Sequence, residues 1–130
     1  MEFNFKKFEG RNVRQEDRIT LTKSHSIGFP QKFYNDNNIK SFKSAVLFWD
    51  DANKAIGVLF TNDESEKNKF SIIHSKEGYG GSVVARSFLR FNNIDPKIYH
   101  GRYEWEKHNQ EGVGDLFVIK LREVKESVKN

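Results

Sequence analysis

The sequence predicts a mostly-β fold with two short helices: a pseudo-symmetric β-barrel of two β-β-α-β-β units in one chain. Three observations carry this. First, the pattern F-x-x-x-N-N-I occurs twice, as Phe33 with Asn37, Asn38 and Ile39, and as Phe88 with Asn92, Asn93 and Ile94, 55 residues apart. A fixed internal period marks a duplicated structural unit. Second, extended runs flank each match, and the helical run inside each unit is too short to stand alone. Such helices must dock on a sheet or cap a barrel. Third, charge follows the same period. Residues 19–48 hold four lysines against Asp36, and residues 49–69 hold three lysines against five acids. Residues 70–102 hold five cations against Glu77 and Asp95, and residues 103–121 hold two lysines against four acids. Each unit therefore has a basic front of +3 and an acidic hairpin of −2. A pseudo-twofold axis would place both basic fronts on one face.

Residues 1–130 read as a single domain: an arm (1–17), a first repeat (18–61), a linker (62–69), a second repeat (70–122) and a polar tail (123–130). In the arm, Phe3-Asn4-Phe5 alternates and predicts a short edge strand. Residues 18–23 alternate polar and apolar, a half-buried strand. A turn at Ser24-His25 leads to a second extended run, residues 26–29. Pro30 presets φ for the first position of a helix over residues 30–36. Asn37-Asn38 then supplies residues that tolerate a left-handed exit. Residues 44–49 and 55–61 read as a hairpin around Asp51-Ala52-Asn53-Lys54. Asn62 to Lys69 has no apolar residue and predicts a solvated connection.

The second repeat follows the same order. Residues 70–74 read as a strand, residues 77–81 as a glycine-rich loop, residues 82–84 as extended and residues 85–91 as a helix. Asp95-Pro96 reads as a turn. A strand over 98–105, a long loop over 106–114 and a last strand over 115–121 complete the unit. Trp49 and Trp105 fall in corresponding hairpin strands, offset by one residue, where packing is the expected role.

A chain of 130 residues is long enough for one real core. Twelve Phe against a single Met favour an ordered interior of aromatic and β-branched residues. With no Cys, disulfides and Cys-ligated metal sites are excluded. No apolar run reaches membrane-span length, and residues 1–10 lack a continuous apolar stretch. The expectation is a soluble, cytoplasmic protein without a membrane partner.

Chemistry-bearing motifs are scarce. His25, His74, His100 and His108 show no i,i+4 pairing and no H-E-x-x-H pattern, so no metal site is expected. Asp50-Asp51 beside Asn53 is explained by a turn. The loop Gly78-Tyr79-Gly80-Gly81 lacks the Lys-Ser/Thr sequel of a phosphate loop. No nucleophile elbow is present. The sequence therefore predicts neither enzyme activity nor a cofactor.

The basic fronts offer a different chemistry. Arg86 and Arg90 lie four apart, on one helix face. With Lys32 from the matching helix they are placed to contact neighbouring phosphates through charge-assisted hydrogen bonds. For any one of these residues a solvated helix face is the plainer account, and the functional reading rests on the set. Aromatic residues interleave with the cations. Phe side chains fill cores, but a phenol tolerates water, so Tyr34 and Tyr79 are the candidates for stacking on bases.

Within residues 18–60, Ile19-Thr20 opens a strand leading to a turn, and Ile27-Gly28-Phe29-Pro30 forms an I-x-(I/F)-P run that opens the helix. The following hairpin carries Asp in its turn. This order resembles the AbrB and SpoVT transition-state regulators, a family of swapped-hairpin barrels. The second repeat keeps the pattern with Ala85 where Pro30 stands. The family works as dimers of such units, so the resemblance implies an intramolecular pseudo-dimer, similar to double-psi-like and MraZ-like relatives, as a monomer or a homodimer. It also implies a DNA-binding surface around the first turn and helix: Lys23, His25 and Lys32 in one copy, Lys76, Arg86 and Arg90 in the other. The chain departs from the family in lacking an Arg-rich first turn and in the glycine loop of its second copy.

These readings predict a non-catalytic nucleic-acid-binding protein, a small DNA-binding regulator of transcription that contacts phosphates through a basic face. The alternatives are a protein-interaction adaptor or phage-type inhibitor of a host enzyme, using acidic hairpins and exposed aromatics, and a small-molecule-binding barrel with an internal pocket.

Overall fold

The alternation in residues 18–30 yields two paired strands, β1 (Ile19–Leu21) and β2 (Ser26–Pro30). A computed structural model describes residues 2–7 and 16–124. After β2 come α1 (Gln31–Asp36), β3 (Ser44–Asp50) and β4 (Ala55–Thr61). The second half runs β5 (Lys69–Ser71), β6 (Ile73–His74), β7 (Gly80–Val84), α2 (Arg86–Phe91), α3 (Pro96–Tyr99), β8 (Gly101–Tyr103), β9 (Trp105–Gln110) and β10 (Gly114–Lys120). The mostly-β class predicted from the sequence is the class observed. None of the described helices is long and apolar enough to cross a membrane.

The repeated F-x-x-x-N-N-I is a helix-ending device used twice. Asn37 Nδ2 donates to the Phe33 carbonyl at 3.0 Å, and Asn92 Nδ2 donates to the Phe88 carbonyl at 3.0 Å. The next residues, Asn38 and Asn93, are left-handed, with φ of 52° and 57°. Asparagine tolerates that conformation better than most residues. The isoleucines that follow, Ile39 and Ile94, drop into the core. Each position of the motif thus does one job: anchor, cap, reverse, bury.

The strands form two five-stranded antiparallel sheets, a front sheet ordered β6-β7-β2-β1-β8 and a back sheet ordered β5-β3-β4-β10-β9. Two strands turn the corner between them. β5 continues into β6 across Ile72, and β8 continues into β9 across Glu104. Such bends are how packed sheets share a strand. Followed through both corners, the ladder returns to its start. The two sheets are therefore halves of one flattened barrel of eight strands.

Exchanging β1 with β5–β6, β2 with β7, β3 with β8–β9 and β4 with β10 leaves every neighbour relation in this circuit unchanged. The register agrees. A 55-residue shift turns the Ile27–Val83 pair into the Ser82–Gly28 pair, so a pseudo-twofold axis passes between these two rungs. Within one copy the two hairpins never touch edge to edge. The β1–β2 hairpin abuts β7 and β8, and the β3–β4 hairpin abuts β5 and β10. The hairpins of the two copies are interleaved.

The core lies between the sheets. Phe33 sits fully buried at its centre, 5.1 Å from the Phe117 ring, 5.2 Å from Trp105 and 5.7 Å from Phe29, with Phe60 closing the cluster. Edge-on contacts among these rings add to area burial. Its repeat mate Phe88 is only half-buried, packed against the rim of the same core. The expected equivalence of the two phenylalanines holds for their backbone and not for their burial.

The structure corrects four local expectations. The expected pair of short helices is joined by a third, α3, where Asp95 caps the backbone N–H of Lys97 at 2.9 Å and Pro96 takes the first position. Residues 105–110 extend as β9 against β10, with a turn over residues 111–113, in place of the long loop that the sequence predicts. Residues 2–7 are exposed and form no strand. The start of the tail is docked, since the Val124 N–H donates to the Ile98 carbonyl at 2.6 Å, and residues 125–130 of the tail lie outside the described residues.

Gly80 is where the two copies press hardest. Its φ is +121°, and a Cβ there would lie 2.5 Å from the Phe29 carbonyl oxygen. Gly80→Ala should destabilise the protein by about 1–3 kcal/mol. Gly28→Ala, whose Cβ would meet Thr20 at an ordinary 3.7 Å, is the matched control. Equal melting temperatures for the two variants would contradict this account.

Glu16 fixes the entry to β1. Its carboxylate accepts from the backbone N–H of Arg18 at 3.0 Å and from the guanidinium at 2.7 and 2.8 Å, with Arg102 at 3.6 Å. The Arg18 hydrogen bonds hold its pKa at about 2, against 4.5 in an unstructured chain. A depressed carboxylate contributes stability above its unfolded pKa, and this is lost as pH falls through the folded one. Glu16→Gln should therefore lower the melting temperature modestly at neutral pH. The difference should close between pH 4.5 and 2. A gap that stays constant across that window would show that charge is not the cause.

Candidate functional site

The front-sheet strands fall almost wholly within the two basic fronts, and β4, β9 and β10 of the back sheet fall within the acidic stretches, while most of β3 belongs to the first basic front. The cations of those fronts lie mainly in the turns and helices at the ends of the front sheet, not in its strands. At each end of the front sheet the first turn of one copy meets the helix of the other, because β2 and β7 run antiparallel beside the pseudo-twofold axis.

At one end, the β1–β2 turn is held by Thr22. Its N–H donates to the Ser26 carbonyl at 2.9 Å, and its Oγ1 accepts from the Ser26 N–H at 3.1 Å. The turn exposes Lys23 and puts His25 at φ 69°. The His25 carbonyl accepts from the Ala85 N–H at 2.8 Å, which ties the turn to the start of α2. Arg86 and Arg90 stand exposed on that helix. Lys23, His25, Arg86 and Arg90 therefore gather at one end. Among the described residues, no carboxylate lies within ion-pair distance of Lys23, Arg86 or Arg90.

The opposite end is nearly neutral. Lys32 is paired with Asp36 at 2.6 Å, and this hydrogen bond raises the pKa of the ammonium. In α2 the position matching Asp36 is Phe91, so the arginines have no such partner. Lys76 is exposed in the β6–β7 loop, next to Glu77. Pro30 has no N–H, so the bond from Ala85 to His25 has no counterpart here. The structure thus divides the six predicted contact residues between an end with unpaired cations and a compensated one.

Of the two stacking candidates, Tyr79 is 61% exposed. Tyr34 is a correction: it is 2% exposed, with its hydroxyl 2.7 Å from His74 Nδ1. His74 Nε2 lies 2.8 Å from the Phe42 carbonyl. A carbonyl only accepts, so Nε2 carries the proton and Nδ1 takes the phenol proton in a hydrogen bond. Tyr34 therefore faces the interior and offers no surface for a base.

Sequence reasoning missed one cluster. Arg18, Arg102, Lys120 and Arg122 line a groove of about 480 Å³ with Glu104, Glu106 and Trp105. It forms where the β8–β9 corner meets β10. Only the corner brings these residues together, and their sequence spacing gives no sign of it. The acids interleaved with the cations make it a charge network and not a positive patch.

A scan against protein-family models finds no matching family, and neither the curated proteins nor the solved structures give a match.

Proposed function

We propose that this protein binds nucleic acid without catalysis, as a small DNA-binding regulator, through the end of the front sheet that carries Lys23, His25, Arg86 and Arg90. The observation that carries this reading is that one end of the front sheet brings Lys23 of one copy beside Arg86 and Arg90 of the other, with no carboxylate among the described residues within ion-pair distance of them. Interleaved hairpins are also what the AbrB-like resemblance implies. Phosphate contacts from such a patch give affinity and steering at long range. The test is a set of gel shifts across a salt series on duplex DNA, single-stranded DNA and RNA. Binding strongest on duplex DNA and weakening steeply with salt is expected. No binding to any of the three at low salt would end this reading.

The second reading, a protein-interaction module, is favoured by the apolar side chains left in solvent on the second copy. Ile73 is 54% exposed, Val84 50% and Phe91 85%. It predicts partner capture that survives nuclease treatment. The interior gives less support to a ligand-binding barrel, since aromatic rings fill it.

A further inference from the structure

The outer face of the back sheet is apolar at its centre and polar along β9. Core residues Ile56, Val58, Phe117 and Ile119 point inward, so their neighbours Gly57, Leu59, Leu116 and Val118 point outward. One rung runs Phe48–Gly57–Val118–Glu106 across four strands. A sheet with one face in water normally carries polar residues there. Gly57 lets its neighbours close over the strand, since a Cβ at this position would lie 3.1 Å from Leu116 Cδ1 and 3.6 Å from Phe48 Cβ. Beside these side chains runs a groove of about 700 Å³, lined also by Val118 and by His108 and Gln110. Its rim carries Asp50, Asp51 and Glu106 against Lys120.

Elsewhere the chain holds a segment of complementary chemistry. Phe3 and Phe5 are 71% and 85% exposed and stack on each other at 5.4 Å. Lys6 and Lys7 follow them directly. Residues two apart fall on the same side of an extended chain. Extended, the arm would lay both rings into the groove and leave its lysines near an acidic rim.

We propose that residues 3–7 of one chain dock in the back-sheet groove of a second copy, so that two chains exchange arms and form a homodimer. Each buried aromatic ring removes roughly 150–250 Å² from water, so four rings in a reciprocal exchange bring roughly 600–1,000 Å². With the shallow grooves added, that is the size of a weak, concentration-dependent interface, below or at the lower edge of the roughly 1,200–2,000 Å² of a stable one. This pairing uses the face opposite the basic end and does not depend on nucleic-acid binding.

The test is light scattering coupled to size exclusion over a dilution series. The intact chain should approach twice its 15.2 kDa as concentration rises. Deleting residues 2–7 should leave a monomer, and so should Val118→Glu, which puts a charge in the groove. Mixing these two variants should restore a dimer, because one supplies the groove and the other the arm. If Val118→Glu does not fold, the double variant Phe3→Ser with Phe5→Ser tests the arm by itself and should also be monomeric. An intact chain that stays monomeric at every concentration overturns the proposal, including the case in which its own arm covers its own groove. A dimer that persists after deletion of residues 2–7 overturns it too, since another surface would then hold it.

Discussion

Phe33→Ala should cost about 3–5 kcal/mol of folding stability, the usual loss for truncating a fully buried aromatic. Phe88→Ala should cost roughly 1–2 kcal/mol, in keeping with a ring half in water. The contrast is the informative part. Both residues open the same motif, and each carbonyl accepts from the asparagine amide four residues on, Asn37 or Asn92. A reading from the repeat alone would assign them equal weight. In the folded protein only Phe33 reaches the ring cluster of Phe29, Phe60, Trp105 and Phe117, which draws on both copies. Urea denaturation of the two variants measures the difference. Equal losses would mean that the second helix packs as deeply as the first.

Removing Lys23, Arg86 and Arg90 together, each as alanine, should flatten the salt dependence of DNA binding. The slope of log affinity against log salt should fall by roughly 0.9 for each duplex phosphate that is no longer neutralised, hence by roughly 2.7 if all three side chains touch phosphate. The melting temperature should hardly move, because these side chains are exposed and surface charges carry little stability. Lys32→Ala is the internal comparison. Its ammonium is already engaged by Asp36, so it should change the slope less than Arg86→Ala. An unchanged slope in the triple variant would remove this end of the sheet from the interface.

Much of this fold is legible in local sequence, and the reasons are physical. Alternation over residues 18–23 reports a half-buried strand because one face meets the core, and the apolar runs at 45–49 and 55–60, divided by a turn, report a hairpin. F-x-x-x-N-N-I is legible because a helix end needs a cap, a left-handed residue and a buried anchor at fixed spacing. The charged linker over residues 62–69 has nothing to bury, and its side chains are mostly in solvent. What stays hidden depends on distant partners. Beyond Trp105, β9 is polar and reads as a loop, and it is held as a strand by pairing with β10. The corners at Ile72 and Glu104 are set by closure of the barrel and not by any residue signal. Tyr34 is buried because His74, 40 residues later, meets its hydroxyl. Among the candidate cations, spacing reveals the Arg86–Arg90 face. It cannot reveal that Asp36 neutralises the matching helix, or that the β1–β2 turn of the other copy sits beside α2.

The interleaving of hairpins also bears on how the chain reaches its native state. While the first repeat is being made, its β1–β2 and β3–β4 hairpins have no permanent neighbours, because β7, β8, β5 and β10 are still to come. β1 waits for β8, where Ile19 meets Tyr103, and β4 waits for β10, where Ala55 meets Lys120. Loop closure over such separations precedes any reward from pairing, and it places the protein among slow, non-local folders, on the order of milliseconds to seconds. Cutting the backbone in the linker should leave two fragments that are each unstructured alone and fold only when mixed. The two halves are obligate partners that happen to share a chain.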